Sequence, residues 1–226
     1  MSISEIITQR IIDSECNFHC NDNISDFIAP YELDELQKEV AGKFQDVLKS
    51  LVIDTQRDHN THDTANRVAK MFIREIFAGR YIKSPSITSF PNAQDYDQLY
   101  IVGPIDVRST CAHHFQQISG KAWVGVFPGT NVIGLSKFNR IVDHIASRPQ
   151  IQEEMTVQIA DEIERITEAK GIAVVVKAEH SCMTHRGVKA HESDMVTSVM
   201  RGELRTEIKL REEFFSLLSS MKGYRG

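Results

Sequence analysis

The chain has 226 residues, 41% of them apolar and 25% charged, the composition of an ordinary globular protein with room for one large domain or two small ones. A formal charge of −5 supplies no basic field for nucleic acid or an acidic membrane surface, and no apolar run is long enough to span a bilayer. Four cysteines cannot scaffold a chain this long, and the N-terminus MSISEIITQR lacks the features of a secretory signal, so a reducing, cytoplasmic setting is expected, where thiols are buried, metal-bound or catalytic. Residues 1–30 show little periodicity and are expected to form a flexible arm, in which Cys16, His19 and Cys20 read as an incidental cluster in a polar, turn-like stretch.

Order is expected from Pro30 onward. Leu33, Leu36, Val40, Phe44, Val47, Leu48 and Leu51 recur at helical spacing and predict a first helix. A second follows Asp63-Thr64, with Ala65, Val68, Ala69, Phe72, Ile73, Ile76 and Phe77 on one face and Gly79 as its end. Its opposite face carries Arg67, Lys70 and Arg74, which read as a solvated stripe or as anion ligands. After Ser84-Pro85 and Phe90-Pro91-Asn92 the texture becomes β, with strands predicted over 98–102, 105–107 and 121–127. A helix opened by Ser136 and stopped at Arg148-Pro149 buries Phe138, Ile141, Val142 and Ile145, and a longer one over 150–170 turns Ile151, Met155, Ile159, Ile163 and Ile166 inward. Strands over 172–182 and 194–200 and a last helix over 207–221 complete the chain, which makes an α+β protein with a helical N-terminal part.

Cys111-Ala112-His113-His114, answered by His180-Ser181-Cys182, is the most informative pattern. Two thiols and an imidazole suit zinc with one vacant position, which is a catalytic arrangement; the competing reading is buried free thiols and core histidines. Lys137 and Arg140 lie one turn apart at a helix start, and with Arg186, Arg67 and Lys70 they could converge on a triphosphate or each lie on the surface. Gln152-Glu153 offers an amide beside a carboxylate, apt for the donor edge of guanine but also ordinary in a first helical turn. His113 and His180 could move protons near neutral pH or be structural. The chain carries no Walker phosphate loop, no dinucleotide glycine fingerprint, no His-Glu-x-x-His, no Gly-x-Ser-x-Gly and no zinc-deaminase signature.

Read together, Ser109-Thr110-Cys111-Ala112-His113-His114-Phe115, Gly134-Leu135-Ser136-Lys137-Phe138-Asn139-Arg140-Ile141-Val142, Arg148-Pro149-Gln150-Ile151-Gln152-Glu153, His180-Ser181-Cys182-Met183-Thr184-His185-Arg186-Gly187-Val188 and the upstream Asn66-Arg67-Val68-Ala69-Lys70-Met71 resemble the GTP cyclohydrolase I family. The resemblance runs from about residue 33 to residue 220. It implies a T-fold (tunnel-fold), with an antiparallel sheet and paired helices, over residues 96–226, preceded by a helical region over 31–95. It further implies a ring-shaped homo-oligomer, commonly a decamer, with active sites at subunit interfaces. The implied reaction opens the imidazole ring of GTP, releases formate and yields 7,8-dihydroneopterin triphosphate.

By matching position, the resemblance assigns zinc to Cys111, His114 and Cys182, proton handling to His113 and His180, and ribose opening to Ser136. It assigns guanine to Gln152 and Glu153, and the triphosphate to Lys137, Arg140, Arg186, Arg67 and Lys70. Three departures stand out: Ala112 where the family usually has Glu, Ala65 where Pro is common, and His185 in place of a small or apolar residue. Loss of a carboxylate beside the metal bears on rate and pH optimum. It also motivates a rival reading, a noncatalytic GTP-binding oligomer of the same fold. Whether the pterin feeds tetrahydrofolate or 7-deazapurine synthesis is open.

Overall fold

Ser2 opens the first helix with a capping box, its hydroxyl accepting from the Glu5 amide and the Glu5 carboxylate accepting from the Ser2 amide at 2.7 Å. The computed structural model describes residues 1–224 and separates into two units, Met1–Lys83 and the chain from Ser84 onward. In the first unit, α1 (Ile3–Asp13) buries Ile7 and Ile11 against Leu33 and Leu36 of α2 (Glu32–Ser50) and against Ile73. Arg10 makes a forked ion pair with Glu32 at 2.6 and 2.8 Å, and Glu32 is only 2% exposed. The expected flexible arm over 1–30 therefore contains a docked helix. Ile3, Ile7 and Ile11 supply a one-sided stripe four residues apart, a pattern that the polar stretch after it concealed. That polar stretch is itself pinned: the Arg80 guanidinium donates to the carbonyls of His19, Cys20 and Asp22, leaving Cys16 and Cys20 exposed as free thiols.

The second predicted helix is three pieces: α3 (Thr64–Met71), a π-helical turn (Phe72–Ile76) and α4 (Ala78–Tyr81). Gly79 lies buried inside α4 and does not end the helix. Phe72 stacks on Phe44 of α2 at 5.3 Å and meets Phe77 at 4.8 Å, so ring packing accompanies the widened turn.

The second unit begins with β1 (Ser89–Pro91), β2 (Tyr100–Cys111), β3 (Gln117–Phe127), β4 (Asn131–Ile133) and α5 (Leu135–Ala146). It continues through β5 (Pro149–Gln150), α6 (Gln152–Thr167), β6 (Gly171–His180), α7 (Ser181–Thr184), β7 (Asp194–Gly202), α8 (Glu203–Thr206) and α9 (Ile208–Ser220). The sheet order is β5-β2-β3-β6-β7, antiparallel except for the short parallel β5. β6 through Val176 and the second half of β3, from Ala122 to Val126, are buried on both faces. Val124, Val126, Ile172, Val174 and Val176 pack on Phe138 and Ile141 of α5 and on Met155, Ile159 and Ile163 of α6, while Trp123, Ala173 and Val175 pack on Leu204, Phe214 and Leu218. Burying these side chains stabilises the unit by roughly 1.5–3 kcal/mol each, so the central strands and the helix pair set its architecture. The fold is α+β, an antiparallel sheet with paired helices and a helical N-terminal region before it in the chain.

Local differences from the sequence reading have local causes. The strands expected over 98–102 and 105–107 are one strand whose register slips between Val102 and Ile105. Gly134 occupies the cap of α5, so Ser136 is its second residue. β1 pairs with β4, which moves the unit boundary from the expected 95/96 to 83/84. The last two residues of the expected 96–226 domain lie outside the described ones. Among the described residues no helix is long and apolar enough to cross a membrane.

Candidate metal centre and active site

Cys111 is the last residue of β2 and shares the helix-facing side of the sheet with Ile105 and Val107. The chain turns back at once into β3: the Cys111 amide donates to the Gln116 carbonyl at 2.8 Å and the Phe115 amide to the Cys111 carbonyl at 2.9 Å. Phe115 closes this turn in the left-handed region, φ 52°, a conformation costing a side-chain-bearing residue about 1–2 kcal/mol. The turn presents His113 and His114 beside the strand end. Antiparallel pairing of Ile118 with His180 brings the end of β6 to the same edge, and α7 starts there with Cys182 as its second residue.

The sulfurs of Cys111 and Cys182 and a ring nitrogen of His114 lie within 4.8 Å of one another. Cys111 is buried, Cys182 half-buried and His114 exposed, so the trio opens to solvent on its imidazole side. Burial first, and then the neighbouring Cys111, push the Cys182 thiol above its ordinary range. Two thiols held together resist ionising side by side unless a cation joins them, and a cation would reverse that preference. Two sulfurs with one imidazole form a soft-to-borderline donor set that fits a metal of the zinc type and leaves a coordination position for another ligand.

His113 Nδ1 lies 3.8 Å from the Cys111 sulfur. Burial lowers the pKa of His180, while the nearby carboxylate of Glu153 acts in the opposite direction. Arg186 is exposed and close enough to Cys182 to favour its thiolate. His113 and Arg186 thus adjoin the trio, and Glu153 adjoins His180. Gln152 does not turn toward a ligand. It is wholly buried, its amide nitrogen donating to Val176 O, Met195 O and Thr197 Oγ1 and its oxygen lying 2.8 Å from His180 Nε2. This side chain, expected at the guanine, bonds to His180 in this structure.

α5 delivers its last turn to this edge. Gln150, paired with Cys111, donates to the carbonyls of Ile145 and Ala146 at 2.7 and 3.3 Å. At 1.5 Å per residue, Ser136 and Lys137 lie about 15 Å back along the helix axis and Arg140 about 9 Å back. Arg67 and Lys70 are exposed on α3 in the other unit, where Arg67 pairs with Asp63 at 3.2 Å.

Several supporting residues had no signal in the sequence. Gln150 clamps the end of α5 and accepts from the Ala112 amide at 3.1 Å, steadying the residue after Cys111. Thr156 and Thr197 share a 2.7 Å hydrogen bond beside Gln152. The Thr184 hydroxyl donates to Glu179 at 2.6 Å, and the unexpected His185 ring sits 2.9 Å from that hydroxyl. Their roles are set by partners distant in the sequence or by the turn at the end of β6, and are distinguishable only once those partners are known.

The sequence profile of the GTP cyclohydrolase I family matches residues 40–219. The chain is 40% identical over 184 residues to GTP cyclohydrolase 1 of Haemophilus influenzae (strain PittEE), covering 81% of this chain and 84% of that protein. It is 39% identical over 186 residues to the GTP cyclohydrolase 1 of Haemophilus ducreyi, covering 82% and 85%, and 40% identical over 187 residues to that of Actinobacillus pleuropneumoniae serotype 5b, again covering 82% and 85%. With the Cys-His-Cys group and its flanking histidines assembled at one sheet edge, and with similarity of this extent, the chain belongs to the GTP cyclohydrolase I family.

Proposed function

We propose that the protein is a GTP cyclohydrolase I that uses one net water to open the imidazole ring of GTP, releasing C8 as formate and forming 7,8-dihydroneopterin triphosphate. The observation that carries this reading is the convergence of Cys111, His114 and Cys182 within 4.8 Å, with His180 and Glu153 at the same edge. Cys111, His114 and Cys182 would hold zinc, which would supply Lewis acidity and an acidified water there. His113 and His180 move protons on the ring and the leaving groups. Glu153, exposed beside His180, accepts from the N1–H and 2-amino donors of guanine. Arg186 meets the phosphates from the same chain.

Ser136, Lys137, Arg140, Arg67 and Lys70 are assigned to the ribose and triphosphate as contributions from a neighbouring copy. The length of α5 supports this, since Gln150 ties its last turn beside Cys111 and its first turn begins about 15 Å further along the axis. A homo-oligomer, a decamer in this reading, completes each site, and a clamp on the remote phosphates turns binding energy into positioning of C8. The chemistry belongs to the sheet unit, the setting is cytoplasmic, and the product supplies tetrahydrofolate or another pterin-derived pathway.

The test is to incubate zinc-loaded protein with GTP while following formate and the pterin fluorophore. Both products should appear together. Calorimetric GTP binding with neither product would overturn the enzymatic reading in favour of a binding oligomer.

A further inference from the structure

The buried hydrogen-bond network beneath His180 has only one consistent arrangement of protons. The Gln152 amide faces Val176 O at 3.1 Å, Met195 O at 3.0 Å and Thr197 Oγ1 at 3.1 Å on one side, and His180 Nε2 at 2.8 Å on the other. Two of the three partners on the first side are carbonyl oxygens, which only accept. The amide nitrogen must therefore face them, and the amide oxygen must face the histidine. That oxygen also only accepts, so Nε2 has to carry hydrogen. The hydroxyls agree with this assignment: Thr156 donates to the Gln152 backbone carbonyl at 2.7 Å, so Thr197 donates to Thr156 and its oxygen is left to accept from the Gln152 amide. Gln152 and Thr156 are buried and Met195 and Thr197 half-buried, and a reversed amide would set its oxygen against two carbonyls in a region that cannot solvate the conflict.

We propose that Gln152 is a positioning residue that locks His180 in its Nε2–H tautomer, so that this ring gives and takes protons at Nδ1 alone. The neutral imidazole otherwise exchanges between two tautomers and can rotate, and either change would move its lone pair to a different place. Through Met195 and Thr197 the lock also ties the ring's orientation to β7, an edge strand of the sheet. The proposal deepens the reading of His180 as a proton handler and rests on it for its catalytic consequence; the tautomer assignment stands on geometry alone.

The experiment uses the full-length, metal-loaded chain labelled with 15N-histidine, with the His180 signals identified by their loss in His180→Gln. In the unsubstituted protein at mildly alkaline pH, His180 should show a pyridine-type Nδ1 and a pyrrole-type Nε2. In Gln152→Met, which keeps length and apolar bulk, the two signals should move toward each other as both tautomers populate. Turnover of GTP should then fall about ten- to a hundredfold, with KM changed by less than about threefold and metal content retained. A proton on Nδ1 in the unsubstituted protein would overturn the proposal outright. A large rise in KM with kcat preserved would also overturn it, since that split belongs to a residue that grips the base. Should Gln152→Met fail to fold, the unsubstituted spectrum still decides. A protein that shows the expected tautomer but never turns over GTP would count against the proposed function and not against the lock.

Discussion

Two sulfurs and one imidazole, if they bind a metal together, must lose their protons to do so, and this sets how affinity depends on pH. A free imidazole titrates near ~6.5 and a free thiol near ~8.5. Cys182 is held above its ordinary range by burial and by Cys111 beside it. Between about pH 7 and about pH 8 the imidazole class is mostly neutral and the thiol class mostly protonated, so metal binding should release close to two protons, and the apparent association constant should rise about a hundredfold per pH unit. Protons compete with metal, so the sign is fixed: affinity falls as pH falls. Cys182→Ser removes one soft donor and one releasable proton, which lowers the dependence to about tenfold per pH unit. Four-ligand zinc peptides bind with about 10–16 kcal/mol, roughly 3 kcal/mol per ligand, so the variant should also bind about a hundredfold more weakly at neutral pH. Competition against a chelating fluorophore across this pH range measures the slope, and calorimetry in two buffers of different protonation enthalpy counts the protons. A tenfold slope in the unsubstituted protein, or a slope that Cys182→Ser leaves alone, would remove Cys182 from the ligand set.

Ile11→Ala, at a position 2% exposed under α1, should cost about 2–5 kcal/mol and strip hydrogen-exchange protection from α1; unchanged protection would mean the helix is not docked. Glu32 is held below its ordinary value of 4.5 by the Arg10 guanidinium and the Ala29 amide. A depressed carboxylate stabilises above its unfolded pKa and loses that contribution as pH falls through the folded value, so α1 should lose protection on acidification below 4.5, and Arg10→Gln should flatten the profile. An acid-insensitive α1 in the unsubstituted protein would refute this. Lys137→Ala should weaken GTP binding while leaving metal content untouched, and an unaltered apparent affinity would argue against its phosphate role.

The helix pair and the central strands were legible because each buries a periodic stripe: Phe138, Ile141, Val142 and Ile145 on α5, and Met155, Ile159 and Ile163 on α6, all face the core. α1 was missed because Ile3, Ile7 and Ile11 make too short a stripe to stand out beside a polar loop, and its docking depends on Leu33, Leu36 and Ile73, the last of them far along the chain. Gly79 departs from its expected role because a glycine after an apolar face usually marks a helix end, whereas here the chain turns into the short α4 and Gly79 is buried inside it. β1 and β4 went unseen as a pair because each is three residues long and gains its partner only from a distant segment.

Composition and motif order alone determined the family resemblance, the α+β class and the candidate ligands Cys111, His114 and Cys182, since those depend on residue type and spacing. Only the tertiary structure decided that Gln152 faces His180 and not solvent, and that Gln150 ties the last turn of α5 to the strand end at Cys111. The physical reason is that the partners of a buried amide and the direction of a helix across a sheet are set by strand register and packing, and neither is written in the residues that undergo them.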